Sequence, residues 1–288
     1  MNDQMIYNQN PAIRSQQTTL TQRYEHDIGD HFHLNTGFLI NLLTAKGSNL
    51  EYINPQKQLD FFVIVTYRIN DRWSSTWGLR ESFMIDAGSK LLPSLGAERK
   101  WIFPKSLLVS HAKIAQGFRY PTLNDRFWLP GGNPSLNPEQ SASTEIGFEL
   151  RYPKFNAQVN VYQTWAQDWI LWLPQSGNIW RPENIQKVAI SGIDYALGYH
   201  YFLNEMELES EVVLNYQRSI NKSAYPSQAA YGNQLPYVPY FTAIWSNKIH
   251  IKKWTIALDQ SYTSQRYTTL DQSNTYAVAP YFLLDIAI

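Results

Sequence analysis

The 288-residue sequence contains no cysteine. This excludes disulfide frameworks, thiol catalysis and cysteine-based zinc sites. The sequence also lacks an excess of either charge, because 24 Lys and Arg balance 24 Asp and Glu. Domains that bind nucleic acid carry a basic patch, so no nucleic-acid partner is expected. Charged residues make up only 17% of the chain, below the roughly 25% of ordinary soluble domains.

Long hydrophobic runs are missing as well. The longest apolar stretches, such as residues 61–65, fall far short of the roughly 18 residues that a membrane-spanning helix needs. The first residues, MNDQMIYNQNPAIRSQQ, are polar and lack the apolar core of a signal peptide. Hydropathy alone would therefore class the chain as soluble. Transmembrane β-barrels, however, give only a weak signal per segment.

What the sequence has is aromatic residues, at 15%, and a hydrophobic pattern with a period of two. Ile146, Phe148, Leu150 and Tyr152, for example, alternate with Glu145, Gly147, Glu149 and Arg151. The pattern predicts about thirteen strands in one domain. Short turns are expected at 70–72, 103–105, 153–154, 203–204 and 252–253. Long connections are expected at 44–55, 86–90, 118–142, 171–185, 220–237 and 268–279.

Two fold classes show this alternation, a soluble β-sandwich and a transmembrane β-barrel. The predicted strands run about 10 to 15 residues, whereas strands of soluble proteins average about 5 or 6. Their polar positions are rich in Gln, Asn, Ser and Thr, which suits a wet lumen. Short turns that alternate with long loops are typical of outer-membrane barrels. We therefore predict an all-β, transmembrane antiparallel β-barrel.

A motif around residue 130 adds a family resemblance. The segments GFRYPTL and GNPSLNPEQSASTEIGFEL resemble the barrel signature of TonB-dependent outer-membrane receptors, and the similarity extends over residues 20–288. The matching positions are Gly117, Phe118, Arg119, Pro121, Thr122, Leu123, Gly132, Asn133, Pro134, Leu136, Pro138, Glu139, Glu145 and Gly147.

The resemblance implies a 22-stranded barrel in the outer membrane of a Gram-negative bacterium. An N-terminal plug fills such a barrel, and the TonB energy-coupling complex pulls on a plug segment to drive uptake. Compared with that pattern, we expect residues 1–288 to form a partial barrel domain of about 13 strands in outer-membrane lipid. The plug domain and the last strands would be absent.

The resemblance also implies that extracellular loops bind a scarce metal chelate. The long loops offer Trp, Tyr and amide groups with little net charge, which favours cobalamin, with a ferric siderophore next. Haem is disfavoured because no His lies in the long loops. Trp169 and Trp172 fit an interfacial aromatic girdle as well as a ligand site. The candidate ligand contacts are Arg119, Arg126, Trp128, Asn133, Trp169, Trp172, Trp180 and Tyr231.

Two other functions are compatible with an outer-membrane barrel. A lipid hydrolase would need a Ser or carboxylate beside a base on the outer wall, and the sequence offers no such set. A passive porin is disfavoured by the long receptor-like loop. We therefore expect a receptor rather than an enzyme, with no cofactor and no protein-bound metal.

Three polar sets have simpler interpretations than a catalytic or metal site. His31 and His33 are predicted to face the lumen without a third metal ligand. The acidic ladder of Glu207, Glu209 and Glu211 is predicted to be a solvated wall. Glu139 is expected to pair with Arg119 or accept hydrogen bonds from loop amides, holding the loop rim.

Overall fold

The computed structural model describes residues 13–50, 55–85, 88–175, 179–224 and 228–288, apart from the side chains of Gln186 and Ala229. It contains a five-residue helix α1 (Leu123–Phe127) and 3₁₀ turns at Gln228–Ala230 and Asn274–Tyr276. The strands are β1 (Ile13–Ile28), β2 (Phe32–Gly47), β3 (Gln56–Asn70), β4 (Trp73–Met84), β5 (Gly88–Phe103), β6 (Ser106–Arg119), β7 (Glu139–Tyr152), β8 (Phe155–Pro174), β9 (Trp180–Leu203), β10 (Met206–Asn221), β11 (Phe241–Ile251), β12 (Trp254–Thr263) and β13 (Tyr281–Ala287).

All strands belong to one sheet in which each pairs antiparallel with its neighbours in sequence. The prediction of about thirteen strands is confirmed, since the sheet has 13. Within the described residues, β1 and β13 each have a single neighbouring strand, so the sheet is an open section of wall. Among those residues, no helix is long and apolar enough to cross a membrane.

The strand pairing separates the side chains into an apolar face and a polar face, because successive residues point to opposite sides. One cross-strand row on the apolar face consists of Ile146, Val161, Ile193, Tyr216 and Phe241. The next row, on the polar face, consists of Gly147, Asn160, Asp194, Asn215 and Thr242. The apolar face is open to its surroundings, with Ile146 56% exposed and Val161 53% exposed. A soluble sheet would bury such a face, whereas lipid can cover it.

The connections differ in length between the two ends of the sheet. At one end, called the turn end, β-strands are joined by two- or three-residue turns, and all five predicted short turns are confirmed. Asn204 and Lys252 occupy these turns with φ of 53° and 54°. Asn tolerates this left-handed conformation well. At the other end, called the loop end, the β6–β7, β10–β11 and β12–β13 connections are long.

The prediction of a long loop at 171–185 is wrong. β8 continues to Pro174 and β9 begins at Trp180, and the ladder between them extends to the Pro174–Trp180 pair. The aromatic and branched residues of 169–173 favour an extended backbone. Pro182 lacks an N–H and cannot donate to a neighbouring strand. The ladder between β9 and β10 ends at Val188, so β10 does not need a donor from Pro182. The β8–β9 hairpin therefore projects beyond its neighbours at the loop end.

Buried apolar clusters lie at the loop end rather than within the sheet. One contains Ala166, Leu173, Ile185, Val188, Ala230, Leu235 and Leu270, which come from the hairpin and two long loops. A second contains Ala45, Leu50 and Leu123, which come from β2, the β2–β3 connection and α1. The long loops therefore have a folded structure of their own.

Candidate ligand-binding site

The β6–β7 loop, residues 120–138, is organised around α1. Thr122 caps the helix: its hydroxyl accepts a hydrogen bond from the Asp125 amide, and the Asp125 carboxylate accepts one from the Thr122 amide. This reciprocal pair satisfies two backbone donors that a helix start leaves free. Tyr120 anchors the start of the loop, because its single hydroxyl proton lies within reach of the Ser82 and Gly88 carbonyl oxygens, at 3.2 and 3.1 Å from the hydroxyl oxygen. Burial raises the pKa of Tyr120 further above neutral pH.

Arg119 and Glu139 close the base of this loop. The guanidinium donates two hydrogen bonds of 2.5 Å to the Glu139 carboxylate, in the bidentate geometry that favours Arg over Lys. One Glu139 oxygen also accepts from the Ile170 amide at 2.8 Å. The predicted pairing with Arg119 is therefore confirmed, while the amide that Glu139 binds belongs to strand β8 rather than to a loop. Glu139 is buried, with its side chain 8% exposed, while that of Arg119 is 51% exposed on the polar face.

The β8–β9 hairpin holds the other side of the loop through hydrogen bonds. The Trp172 indole N–H donates to the buried Asp125 carboxylate at 2.9 Å. The Asn133 side-chain amide donates to the Pro182 carbonyl at 3.2 Å. Asn184 accepts from the Asn137 amide at 2.9 Å. The loop is thus attached to the hairpin at three points.

Gly131 permits a close approach between the loop and the hairpin. Its φ is +121°, and a Cβ at this position would lie 2.2 Å from the Trp180 carbonyl oxygen. A side chain would therefore be strained and would also push the two segments apart. The preceding Leu129 amide donates to the Asn49 carbonyl, which joins the loop to the β2–β3 connection as well.

The opposite face of the hairpin contacts the other long loops. Trp169 and Leu171 pack against the cluster that includes Ala230 and Leu235 of the β10–β11 loop and Leu270 of the β12–β13 loop. The hairpin therefore lies between the β6–β7 loop on one face and these two loops on the other. We call this assembly of the hairpin with the three loops the loop cap.

The candidate ligand contacts all lie in or beside the loop cap, but they differ in accessibility. Trp180 is 46% exposed and Tyr231 is 52% exposed. Arg126, Trp128, Asn133, Trp169 and Trp172 are half-buried. Arg126 lies over the neighbouring Phe127 ring, 4.8 Å from its centroid. Tyr225, another aromatic of the β10–β11 loop, falls outside the described residues.

Of the motif residues, those from 117 to 139 form the loop, its base and its anchors, and Glu145 and Gly147 lie farther along β7 on the polar face. Gly147 accommodates its neighbours, since a Cβ there would lie 2.2 Å from the His111 ring and from Asn160 Oδ1. Sequence reasoning missed the roles of Asp125 and Asn184. The spacing of Thr122 and Asp125 is a capping-box signal that would have identified the first. Nothing local marks the second, because its partners are distant in sequence.

The other polar sets are also located. His31 Nδ1 lies 2.7 Å from the Arg68 carbonyl oxygen, and His33 Nδ1 lies 2.9 Å from the Asp27 carboxylate. Neither belongs to a group of three metal-ligating side chains among the described residues. The acidic ladder of β10 lies on the polar face, as the sequence predicts, but His200 of β9 joins it.

Comparison with known proteins agrees with the fold. The sequence model of the family described as "TonB dependent receptor-like, beta-barrel" matches residues 2–288. Two curated relatives are vitamin B12 transporters named BtuB. The protein of Vibrio vulnificus is 36% identical over 94 residues, which cover 32% of this chain and 15% of that protein. The protein of Photobacterium profundum is 23% identical over 286 residues, which cover 96% of this chain and 43% of that protein.

Solved structures resemble the same region. The siderophore receptor PirA from Pseudomonas aeruginosa matches with a TM-score of 0.68 and 15% identity, over 96% of this chain and 51% of that one. The copper transporter OprC matches with a TM-score of 0.69 and 16% identity, over 96% and 48%. At this identity the likeness shows the fold, and it confirms the predicted antiparallel barrel class.

The chain spans less than half the length of the curated relatives it matches and about half that of these solved chains. Its 13-stranded antiparallel sheet, the motif of the β6–β7 loop and the family match over residues 2–288 agree with one another. The chain therefore belongs to the TonB-dependent receptor family, and its sheet is β-barrel wall of that family.

Proposed function

We propose that this barrel wall belongs to an outer-membrane receptor that takes up a scarce metal chelate, with cobalamin as the first choice and a ferric siderophore as the second. The observation that carries the proposal is the loop cap, in which the β6–β7 loop is attached to the β8–β9 hairpin by side-chain hydrogen bonds. A preorganised set of loops lowers the entropic cost of ligand binding. Passive diffusion through a pore requires no preorganised binding surface.

The chemistry of the loop cap favours a near-neutral ligand. Arg119, at the base of the β6–β7 loop, is paired with Glu139, and Arg126, within the loop, lies over Phe127, so both cations are already engaged. An anionic chelate would favour several convergent cations. Aromatic faces are accessible instead, at Trp180 and Tyr231. Such faces can stack on a flat, ring-bearing ligand such as a corrinoid.

The two faces of the sheet support an outer-membrane setting for the receptor. Its exposed apolar face suits the outer-membrane lipid of a Gram-negative bacterium, and its polar face suits a wet lumen. The loop cap would face the cell exterior and the turn end the periplasm. Energy for release of the ligand would come from the TonB complex through a plug segment. The chain would carry out no chemical transformation of the ligand.

Direct binding measurements test the choice of ligand. The receptor carrying this chain, purified from the outer membrane into detergent, is titrated with cyanocobalamin and with a panel of ferric siderophores. We expect micromolar or tighter binding of cyanocobalamin. Binding of a siderophore with none of the corrinoid would refute the first choice and favour the second. Binding of neither class would refute the proposed function.

A pair of tryptophans provides a matched control for the location of the site. Trp180, on the loop cap, and Trp165, on the apolar face of β8, are 46% and 53% exposed. We expect Trp180→Ala to weaken binding at least tenfold, which corresponds to about 1.4 kcal/mol. Trp165→Ala should leave the affinity unchanged, because its indole faces lipid. Equal effects of the two substitutions would refute the location.

A further inference from the structure

A second polar site lies at the turn end of the sheet, away from the loop cap. His200 of β9 pairs directly with Glu209 of β10, and Glu207 lies two residues along the same face of β10. His200 Nε2 is 2.6 Å from a Glu207 oxygen and 4.0 Å from a Glu209 oxygen. One ligating atom from each of the three side chains lies within 4.8 Å of the others. From Glu209 to Asn221 at the loop end is roughly 40 Å along the strand.

We propose that His200, Glu207 and Glu209 bind a divalent transition-metal ion of the Zn²⁺ type. One imidazole nitrogen and two carboxylate oxygens are ligands that Zn²⁺ accepts, with a water molecule completing a four-coordinate site. Ligand atoms around a tetrahedral Zn²⁺ lie about 3.3 Å apart. The His200–Glu207 distance therefore has to open by about 0.7 Å, and the His200–Glu209 distance has to close by about the same amount. Rotation of the two glutamate side chains, 34% and 48% exposed, supplies these small shifts.

The backbone holds the three ligands in register. His200 and Glu209 are a cross-strand pair in a continuous antiparallel ladder, so their Cβ atoms are about 5 Å apart. The His200 amide donates to the Lys154 carbonyl, and its ring packs on Phe202, with centroids 4.3 Å apart. The imidazole is thus oriented before an ion arrives, which lowers the cost of binding.

The surroundings favour a cation. Glu211 continues the ladder on the same face, and Asp259 lines the same cleft as His200 and Glu209. Two cations line this cleft: Lys248, opposite Glu209 on β11, and Lys154 of the turn between β7 and β8. When the imidazole is counted as neutral, the carboxylates of Glu207, Glu209, Glu211 and Asp259 outnumber these two lysines. His250 also lies on this face, directly opposite Glu207, so a second imidazole is one strand away from the ion.

The site differs from the ligand-binding site in location and in ligand. A chelate enters with its metal already coordinated, whereas this site requires the free ion. The inference does not depend on cobalamin or siderophore binding at the loop cap, because the two sites share no residue. A metal ion here would join β9 to β10 beside the Asn204 turn.

Metal titration of the detergent-purified, chelator-stripped receptor tests the inference. We expect one Zn²⁺ per chain to bind in competition with a chromophoric chelator, and Mg²⁺ in excess not to displace it. Co²⁺ in place of Zn²⁺ should give the intense visible absorption of a four-coordinate site. No saturable Zn²⁺ binding, or equal competition by Mg²⁺, would overturn the inference.

Variants distinguish a coordination site from a merely acidic surface. Loss of an indirect contact to a metal ligand costs about 10- to 100-fold in affinity, and loss of a ligand costs at least as much. We therefore expect His200→Gln and Glu209→Gln each to weaken Zn²⁺ binding by at least about 100-fold. Glu211→Gln is the matched control, since it removes the same charge from the same face outside the ligand set, and should change the affinity less than about threefold. Similar losses in Glu209→Gln and Glu211→Gln would overturn the inference. Heat-modifiable migration on gels confirms that each variant is folded.

Discussion

The hydrogen bonds of Glu139 make a quantitative prediction about the loop cap. Its carboxylate accepts two hydrogen bonds from Arg119 and one from the Ile170 amide, and it is buried. Glu139→Ala removes all three hydrogen bonds and leaves the Ile170 N–H buried without a partner. Glu139→Gln keeps one oxygen that can accept from that amide, but it removes the charge and replaces the second acceptor of the Arg119 pair with an NH2 donor. The two variants therefore separate the amide contact from the ion pair.

The free-energy cost of each substitution depends on how deeply the lost contact is buried. A hydrogen bond from a buried amide to a charged acceptor contributes about 1.5–3 kcal/mol. The Arg119 pair contributes about 1 kcal/mol, because its guanidinium is half exposed and solvent screens it. Glu139→Ala should therefore destabilise the closed loop cap by about 3 kcal/mol, and Glu139→Gln by about 1 kcal/mol. Glu145→Gln is the control on the same strand and face. Its partner His111 is 3.1 Å away and partly exposed, so the cost should be about 0.5 kcal/mol.

Hydrogen exchange measures the opening of the loop cap directly, without global unfolding of the barrel. Since about 1.4 kcal/mol is a factor of ten, Glu139→Ala should accelerate exchange of the 120–138 amides by roughly 100-fold. Glu139→Gln should accelerate it by roughly fivefold and Glu145→Gln by about twofold. Acceleration by Glu139→Ala of less than threefold would refute the reasoning, because the loop would then be held elsewhere. A matching effect of Glu145→Gln would show that charge on the polar face, rather than the buried contact, is responsible.

Three further predictions use local geometry. Gly131→Ala should lower the free energy of opening of the loop cap, measured by hydrogen exchange, by at least about 2 kcal/mol. The causes are backbone strain and a clash with the hairpin. Gly232→Ala is the control, because Gly232 also has a positive φ, +85°, but a Cβ there would meet nothing within 4 Å. This substitution should cost only about 1 kcal/mol. Equal effects of the two substitutions would show that the clash with the hairpin does not contribute. Trp172→Phe should cost about 1–3 kcal/mol, because a buried carboxylate loses its indole donor, and unchanged loop exchange would contradict this. A cysteine at Ser135 should react with an impermeant maleimide on intact cells and a cysteine at Pro153 should not. The reverse result would invert the orientation.

The sheet could be predicted from the sequence because its determinants are local. The alternation of apolar and polar residues shows which side chains share a face of the sheet. A membrane barrel has the same alternation as a soluble sheet, but its apolar face is turned outward. Turn residues such as Asn204 mark the hairpins. The part of the β8–β9 hairpin at the loop end was not predicted, because Pro174 and Pro182 are typical of a loop. Whether a proline interrupts a ladder depends on which neighbour needs its N–H, and that is decided by strands far away in sequence.

The candidate ligand-binding site was predictable only in part. The family motif identifies the β6–β7 loop, and the expected pairing of Arg119 with Glu139 is present. The contacts of Trp172 with Asp125 and of Asn137 with Asn184 join segments about 47 residues apart, which no local pattern reveals. The roles of the eight candidate ligand contacts remain predictions. The cluster of His200 with the acidic ladder was missed for the same reason, since the histidine lies on the neighbouring strand.

The distribution of buried side chains explains how such a barrel keeps its loops ordered. The strands turn their large apolar residues toward the surroundings, so the sheet has little apolar interior of its own. The buried apolar clusters lie at the loop end, one within the loop cap and the other joining β2 and the β2–β3 connection to α1. Backbone ladders hold the wall, whereas apolar burial and side-chain hydrogen bonds hold the loops. Substitutions in the loop cap should therefore alter loop order while the wall remains folded. This separation allows one wall to carry loops for different ligands, since loops can change without loss of the scaffold that positions them.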